Sequence, residues 1–472
     1  MFARFFRLFG KECRQIAKSL TFWLFIALIL LMYFSQMGTD VNSINNPVEP
    51  VAGQESYGSK TAENPETIMP LATQNLLSEY QSNSYVCYPL GFYKTVRLNG
   101  ADQAKVAAVL GELTGREPAS FGGASPAGDG SFTIGGDGDG QGLSIEGGEG
   151  KVTVQFPDGT ASEYRAGEAP QEYQDALGEN APTPPPAGER VEVQVTYERF
   201  LELMAQVDGL IGGRSSYDRD SMVSQFGFVP KTYEDALTEY QNFTDKDGVF
   251  GAYARLFSDY LGIVLSILPA FVAASLFLRD RRARMQELVY TRRTSSATVI
   301  GARFAALAVL LLAPVLLLSL VPLFQLLPIW GGRDLPLDYL AFVKYTFAWL
   351  APSVLVSASL GMLLTVLTDT PVAVLVQAVW WFFDINGSFG PQNSSVFQLA
   401  IRHNSLRRYE DFAANLGWIT WNRIGYTLLA LSLVALTVWL YEQKRRGKLN
   451  VGGKIHRLAA GFRGKHKARS SR

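Results

Sequence analysis

The sequence predicts an α-helical polytopic membrane protein with six transmembrane helices and an α+β extracellular domain inserted between the first and second spans. Three observations carry this. Six apolar runs approach the ~20 residues that cross a bilayer. A polar interval of about 220 residues follows the first run. Basic clusters lie hard against the first, second, third and last runs.

Charge distribution gives the sidedness. The 472 residues balance at 43 basic and 43 acidic, yet Gly38 to Phe257 holds 32 acidic against 14 basic residues, a formal charge of −18. The remaining basic residues gather in the first 19 residues, in FLRDRRARMQELVYTRRTSS and in the tail after Tyr441. Basic flanks of membrane spans fall on the cytoplasmic side. Both termini and the loop after the second span are therefore expected in the cytoplasm, and the acidic interval outside. Basic flanks explain the tail better than nucleic-acid binding, so no nucleic-acid partner is expected.

Residues 1–19 read as an amphipathic helix in the headgroup layer. At 100° per residue Phe2, Phe5, Phe6 and Phe9 share a face with Cys13, Ile16 and Leu20, opposite Arg4, Arg7, Lys11, Arg14 and Lys18. That periodicity, and the lack of an A-x-A site in FSQMGTD, argue against a cleaved signal peptide. Phe2, Phe5, Phe6, Phe9, Arg4 and Arg7 are the expected anchor to the lipid bilayer. The first span is 20–37.

The insertion, 38–256, reads as a domain because it far exceeds ordinary connections. QAKVAAVLGEL, YERFLELMAQVDGLI and TYEDALTEY carry helical spacing, and VTVQFPDGTASEYRA reads as two strands about Pro-Asp-Gly. The glycine-rich stretch Phe121 to Gly150 reads as a flexible linker or hairpin insertion rather than a calcium site, and APTPPPAGE as a stiffer linker. Cys13 and Cys87 are expected on opposite sides of the membrane, without a disulfide. His403, His456 and His466 are too scattered for a zinc site, so no metal is expected. Triplets at Asn242, Asn386 and Asn393 would matter only in a glycosylating host.

The second span falls within 257–278, from about Tyr260. Residues 279–297 form a basic segment, and 298–441 hold the remaining four spans: Val299 to Leu327, kinked at Pro314 and Pro322, Phe342 to Leu367, Pro371 to Ile385, and Ile424 to Tyr441. TDTP is a tight turn between the fourth and fifth. Residues 442–472 are the tail. Arg402, Arg407 and Arg408 dissent from the charge rule, which leaves a surface helix or a misplaced fifth span. The runs show no mid-span carboxylate; the third has Gln325 near its outer end and the fifth has Gln377, which disfavours an ion-coupled carrier. The chain lacks GxxxxGK[ST], so ATP cannot bind here through a P-loop.

In RDRRARMQELVYTRRTSSATVIGARF, Arg284, Glu287, Leu288 and Thr291 can share one helical surface. The stretch resembles the cytoplasmic coupling element of permease subunits in type-two ABC exporters (ATP-binding-cassette transporters). There a Glu precedes a short helical turn, a Ser-rich stretch and a basic residue opening the next span; Glu287, Ser295 with Ser296, and Arg303 stand in those places. Arg292, Arg293 and Thr294 stand where that family often has Gly or Pro. The resemblance extends to the opening helix, the span order and the inserted domain. It implies a bacterial cell-membrane permease with no catalytic residue or cofactor of its own, ATP and Mg being held by a separate ABC ATPase subunit. It further implies a second permease chain, as homo- or heterodimer, and contacts to the ATPase through Arg284, Glu287, Leu288, Thr291, Ser295 and Ser296. The alternative is a membrane scaffold or receptor that binds a partner through its outer domain, on the plan of phage-infection proteins.

Overall fold

The computed structural model describes residues 2–38, 41, 48–89, 93–121, 191–282, 294–388, 397–403, 406 and 408–448, with four strands between 131 and 165. It is 75% helical. Two units compose it: Met1–Gln54 with Tyr233–Arg472, and Glu55–Thr232.

The helical unit opens with α1 (Phe2–Ala17) and α2 (Leu20–Met37). Ser19 separates them: its hydroxyl accepts from the Phe22 amide at 3.3 Å, satisfying one orphan N–H of the new helix. On α2 only Phe22, Phe25, Ile29, Tyr33 and Met37 are buried, while Trp23, Leu24, Leu31 and Phe34 are exposed. A helix apolar on every face with one face packed suits a hydrocarbon surround.

The second unit begins with β1 (Ser59–Thr61), α3 (Pro65–Ser82), β2 (Tyr85–Cys87), β3 (Lys94–Val96) and α4 (Gly100–Thr114). Asn64 and Asn99 cap α3 and α4, each side-chain oxygen accepting an amide hydrogen bond at 3.0 Å. The strands β4 (Ser131–Ile134), β5 (Leu143–Gly148), β6 (Lys151–Gln155) and β7 (Ala161–Arg165) form an antiparallel meander. β6 and β7 are the pair expected about Pro-Asp-Gly, with Gln155 opposite Ala161. β4 and β5 lie inside the glycine-rich stretch, which therefore forms a hairpin and not only a linker. The unit closes with α5 (Tyr197–Ile211), α6 (Arg219–Phe226) and β8 (Phe228–Pro230), the last pairing with β1. Its core gathers Leu76, Tyr85, Leu110, Phe200 and Met204.

The helical unit resumes with α7 (Tyr233–Gln241), α8 (Val249–Leu265), α9 (Leu268–Arg282), α10 (Ser296–Trp330), α11 (Ala341–Thr368, with a π-turn at Thr346–Leu350), α12 (Val372–Ser388) and α13 (Tyr409–Arg445). Among the described residues four helices, α2, α10, α11 and α13, are long and apolar enough to cross a membrane. Counting the bent pair α8–α9 as one span makes five, and Val372–Asn386 is a shorter apolar helix. The run expected as the second span is thus two helices meeting at 42°. Carbonyls loosened by that bend need donors in an apolar surround. Trp381 donates to Ile263 (2.7 Å), Gln377 to Ser266 (2.6 Å) and Ser357 to Ile267 (3.4 Å). Gln377 therefore serves a helix break. Gly361 lets α11 approach α9 closely, since a Cβ there would lie 3.0 Å from the backbone of Ala270.

Candidate functional site

Two groups of buried polar side chains tie the long helices to their neighbours, and the first surrounds the roots of the basic segment. On α1, Glu12 is 4% exposed. It lies between two arginines that flank the segment: Arg303 Nε donates at 3.1 Å and Arg279 Nη2 at 3.4 Å. The Arg303 guanidinium also lies 5.2 Å from the Phe277 ring centroid. α1, α9 and α10 therefore meet on one carboxylate.

The other root is held by α13. Ser295 caps α10, accepting from the Thr298 amide at 3.2 Å. The Ser296 hydroxyl donates to the Glu442 carboxylate, and Arg445 Nη1 donates to the Thr294 carbonyl at 2.7 Å. Beside them Lys444 pairs with Asp369 at 2.6 Å. Asp369 takes the left-handed conformation (φ 57°) in the TDTP turn. Of the expected coupling residues, Ser295 and Ser296 stand in this clasp. Arg284, Glu287, Leu288 and Thr291 lie outside the described residues.

The expected interfacial face is only partly the face observed. α1 packs on α10 through the row containing Phe9, Cys13, Ile16 and the buried Glu12. Phe5 is half-buried against this contact, 3.8 Å from where a Cβ on Gly301 would stand. Phe6 is 62% exposed, turned off that row, and Arg4 and Arg7 are exposed. The Phe2 side chain lies outside the described residues.

The second group places buried charges beside the ends of the expected runs, outside the mid-span positions expected to lack a carboxylate. Helices α8 and α13 start upstream of their apolar runs, so Arg255, Asp259 and Arg423 are internal and buried, as is Asp384 on α12. They hold the segment Phe397 to His403, which is neither helix nor strand, with Leu399, Ala400 and Ile401 at most 1% exposed. Irregular backbone at such depth survives only where its polar groups are satisfied by protein. Asp384 accepts from the amides of Leu399 and Ala400, both at 2.8 Å. Asp259 accepts from the His403 amide and from Arg402 Nε at 2.6 Å. The carbonyls are met as closely: Gln398 by Asn422 and Arg423, Leu399 by Ser353 and Arg423, His403 by Arg255. Arg255 also pairs with Asp247 inside the core. Arg402 thus belongs to this buried network and not to a surface helix. Arg408 is exposed and pairs with Asp411 at 3.2 Å, and Arg407 lies outside the described residues.

Among the described residues no cluster of three metal-ligating side chains occurs. Chemically, neither group offers an activated nucleophile or an acid–base pair open to a substrate. Both arrangements tie together helices that are distant in sequence. The chain matches no family model, no curated protein and no solved structure.

Proposed function

We propose that the chain is the membrane-spanning permease subunit of an ATP-driven exporter, coupled through residues 279–297 to a separate ATPase. The arrangement comprises six spans, both termini in the cytoplasm, an outer domain after the first span and a second permease chain. One observation favours a coupling role for the basic segment. Both of its roots are tied to other helices, through Arg279 and Arg303 to Glu12 of α1, and through Thr294 and Ser296 to Arg445 and Glu442 of α13. A force applied to such a segment acts on α1, α9, α10 and α13 together. A segment that merely obeyed the charge rule would need no ties.

The test is isolation of the tagged chain from its own host in mild detergent, with ATPase activity assayed in the eluate. An ATP-hydrolysing partner should copurify. Its stimulation by the permease should fall with Glu287→Ala, which leaves insertion intact, because removing one member of a desolvated contact costs about 2–5 kcal/mol. If wild type captures no ATPase, the exporter reading fails and a scaffold that binds through its outer domain replaces it.

A further inference from the structure

Along one flank of the helical unit, α11 and α13 part to leave an open groove of about 490 Å³, a volume typical of ligand sites. Phe347, Pro352, Leu416, Ile424 and Leu428 supply much of its wall. Its two threonines offer nothing polar: Thr420 donates to the Leu416 carbonyl and Thr427 to that of Arg423, each at 2.8 Å. Away from its charged residues, a sugar or peptide would lose its hydration there with few replacement hydrogen bonds. A hydrocarbon chain would lose nothing. The α13 face from Phe412 to Leu428 runs roughly 24 Å at the helical rise, so the groove is long as well as dry.

The charged residues in the lining are Lys344 and Arg423, and no acid joins them. Lys344 stands near the start of α11, where a lysine at a span's end reaches headgroup level. Its side chain is 62% exposed, and its single bond to Asp338, at 2.6 Å, engages one of three ammonium hydrogens. Arg423 lies deeper. Its donors reach the carbonyls of Trp349, Gln398 and Leu399, the Ser353 hydroxyl and the Asn422 amide oxygen. All are neutral; the Asp384 carboxylate lies within electrostatic reach of the guanidinium but does not line the groove. In an apolar wall such a charge favours an anion above it.

We propose that this groove binds one phospholipid of the surrounding bilayer that carries a net negative headgroup. An acyl chain fills the α11–α13 cleft, and the headgroup phosphate is captured at Lys344. The proposal is independent of the exporter reading. It would hold equally for a scaffold.

The test places the purified full chain in phosphatidylcholine nanodiscs. These contain a trace of phosphatidylglycerol or phosphatidylcholine with the same photoreactive acyl chain. After irradiation, adducts of the anionic lipid should concentrate on residues 344–352 and 412–428. They should exceed those of the zwitterionic lipid there by about fivefold, as expected for one basic residue acting on an anionic headgroup. Ala348→Trp, at an exposed wall position, should abolish groove labelling by both lipids. Lys344→Glu should reduce the anionic lipid to the zwitterionic level, and Lys344→Arg should preserve the difference. If Ala348→Trp elutes aggregated, the solvent-facing Lys344 pair decides alone. Equal labelling by the two lipids overturns the proposal, as do adducts scattered over all spans. So does a chain-to-chain cross-link from a photoreactive residue at position 348, which would make a second copy the occupant.

Discussion

At the scale of single residues, Glu12 carries the greatest burden. It is the acid on a helix that also bears Arg4, Arg7, Lys11 and Arg14, and it pairs with the buried Arg303. Breaking a buried pair by removing one partner typically costs about 3–5 kcal/mol, because the remaining charge stays buried alone. Glu12→Ala should therefore lower the unfolding midpoint in detergent sharply and expose α1 to protease. Adding Arg303→Met should recover much of the loss. Arg279→Ala should cost under about 1 kcal/mol, since that side chain is 36% exposed. A different carboxylate gives a pH prediction. Glu79 accepts from the Val86 amide at 3.2 Å and from the Tyr217 hydroxyl, yet burial outweighs these bonds and pushes its carboxyl above the ordinary range. A raised carboxyl holds its proton more tightly in the fold than in the unfolded chain. Its contribution therefore grows as pH falls from the raised value toward about 4.3, and is lost as pH rises through that window. Glu63 and Glu112, held low by hydrogen bonds from Arg219 and Arg199, pull the other way. Glu79→Gln should remove only the first contribution. Amide-exchange protection at Val86, compared between wild type and Glu79→Gln from pH 7 to pH 5, reads the difference.

At the scale of elements, the segment Phe397 to His403 is the part most dependent on its neighbours. Asp384 serves two amides with two oxygens, and an asparagine would turn an N–H toward one of them. Asp384→Asn should leave one amide of Leu399 or Ala400 unsatisfied, costing about 1–3 kcal/mol. Exchange at those amides should accelerate, while exchange in α10 should not change. This segment also marks where the sequence was illegible. Hydropathy treats a charge as the end of a span, so Arg255, Asp259 and Arg423 cut the second and sixth runs short by about three and four turns. In the fold those charges are internal because each has partners far along the chain, and window averages contain no partners. Glu12 was hidden in the same way, although its place three residues from Phe9 and four from Ile16 put it on the apolar row. By contrast, YERFLELMAQVDGLI is α5 from its first residue to its last, because Thr196 caps it, Gly212 ends it and its apolar spacing is regular. TDTP was legible for a similar reason: its turn chemistry is local.

At the scale of the whole molecule, the division into a helical unit and an inserted one follows from composition. The second unit, Glu55–Thr232, falls inside the acidic interval, while the helical unit holds the helices long and apolar enough for a bilayer. The proposed sidedness makes a simple prediction. Protease added to intact cells should cut the chain within the glycine-rich stretch between 122 and 142 and leave an epitope after residue 448 intact. Loss of that epitope with an uncut insertion would reverse the orientation. The clasp at the second root of the basic segment has a consequence in time. Ser296 and its partner Glu442 are 146 residues apart, and Thr294 and Arg445 are 151 apart. At ribosomal speeds of about 5–20 residues per second, the later residue emerges roughly 7–30 s after the earlier one. During that interval the basic segment is held through Arg279 and Arg303 on Glu12 but lacks its clasp to α13. A docking surface that needs the clasp closed cannot exist on a nascent chain. Any partner reading this surface would engage finished subunits only, and the last helix would act as the seal that certifies them.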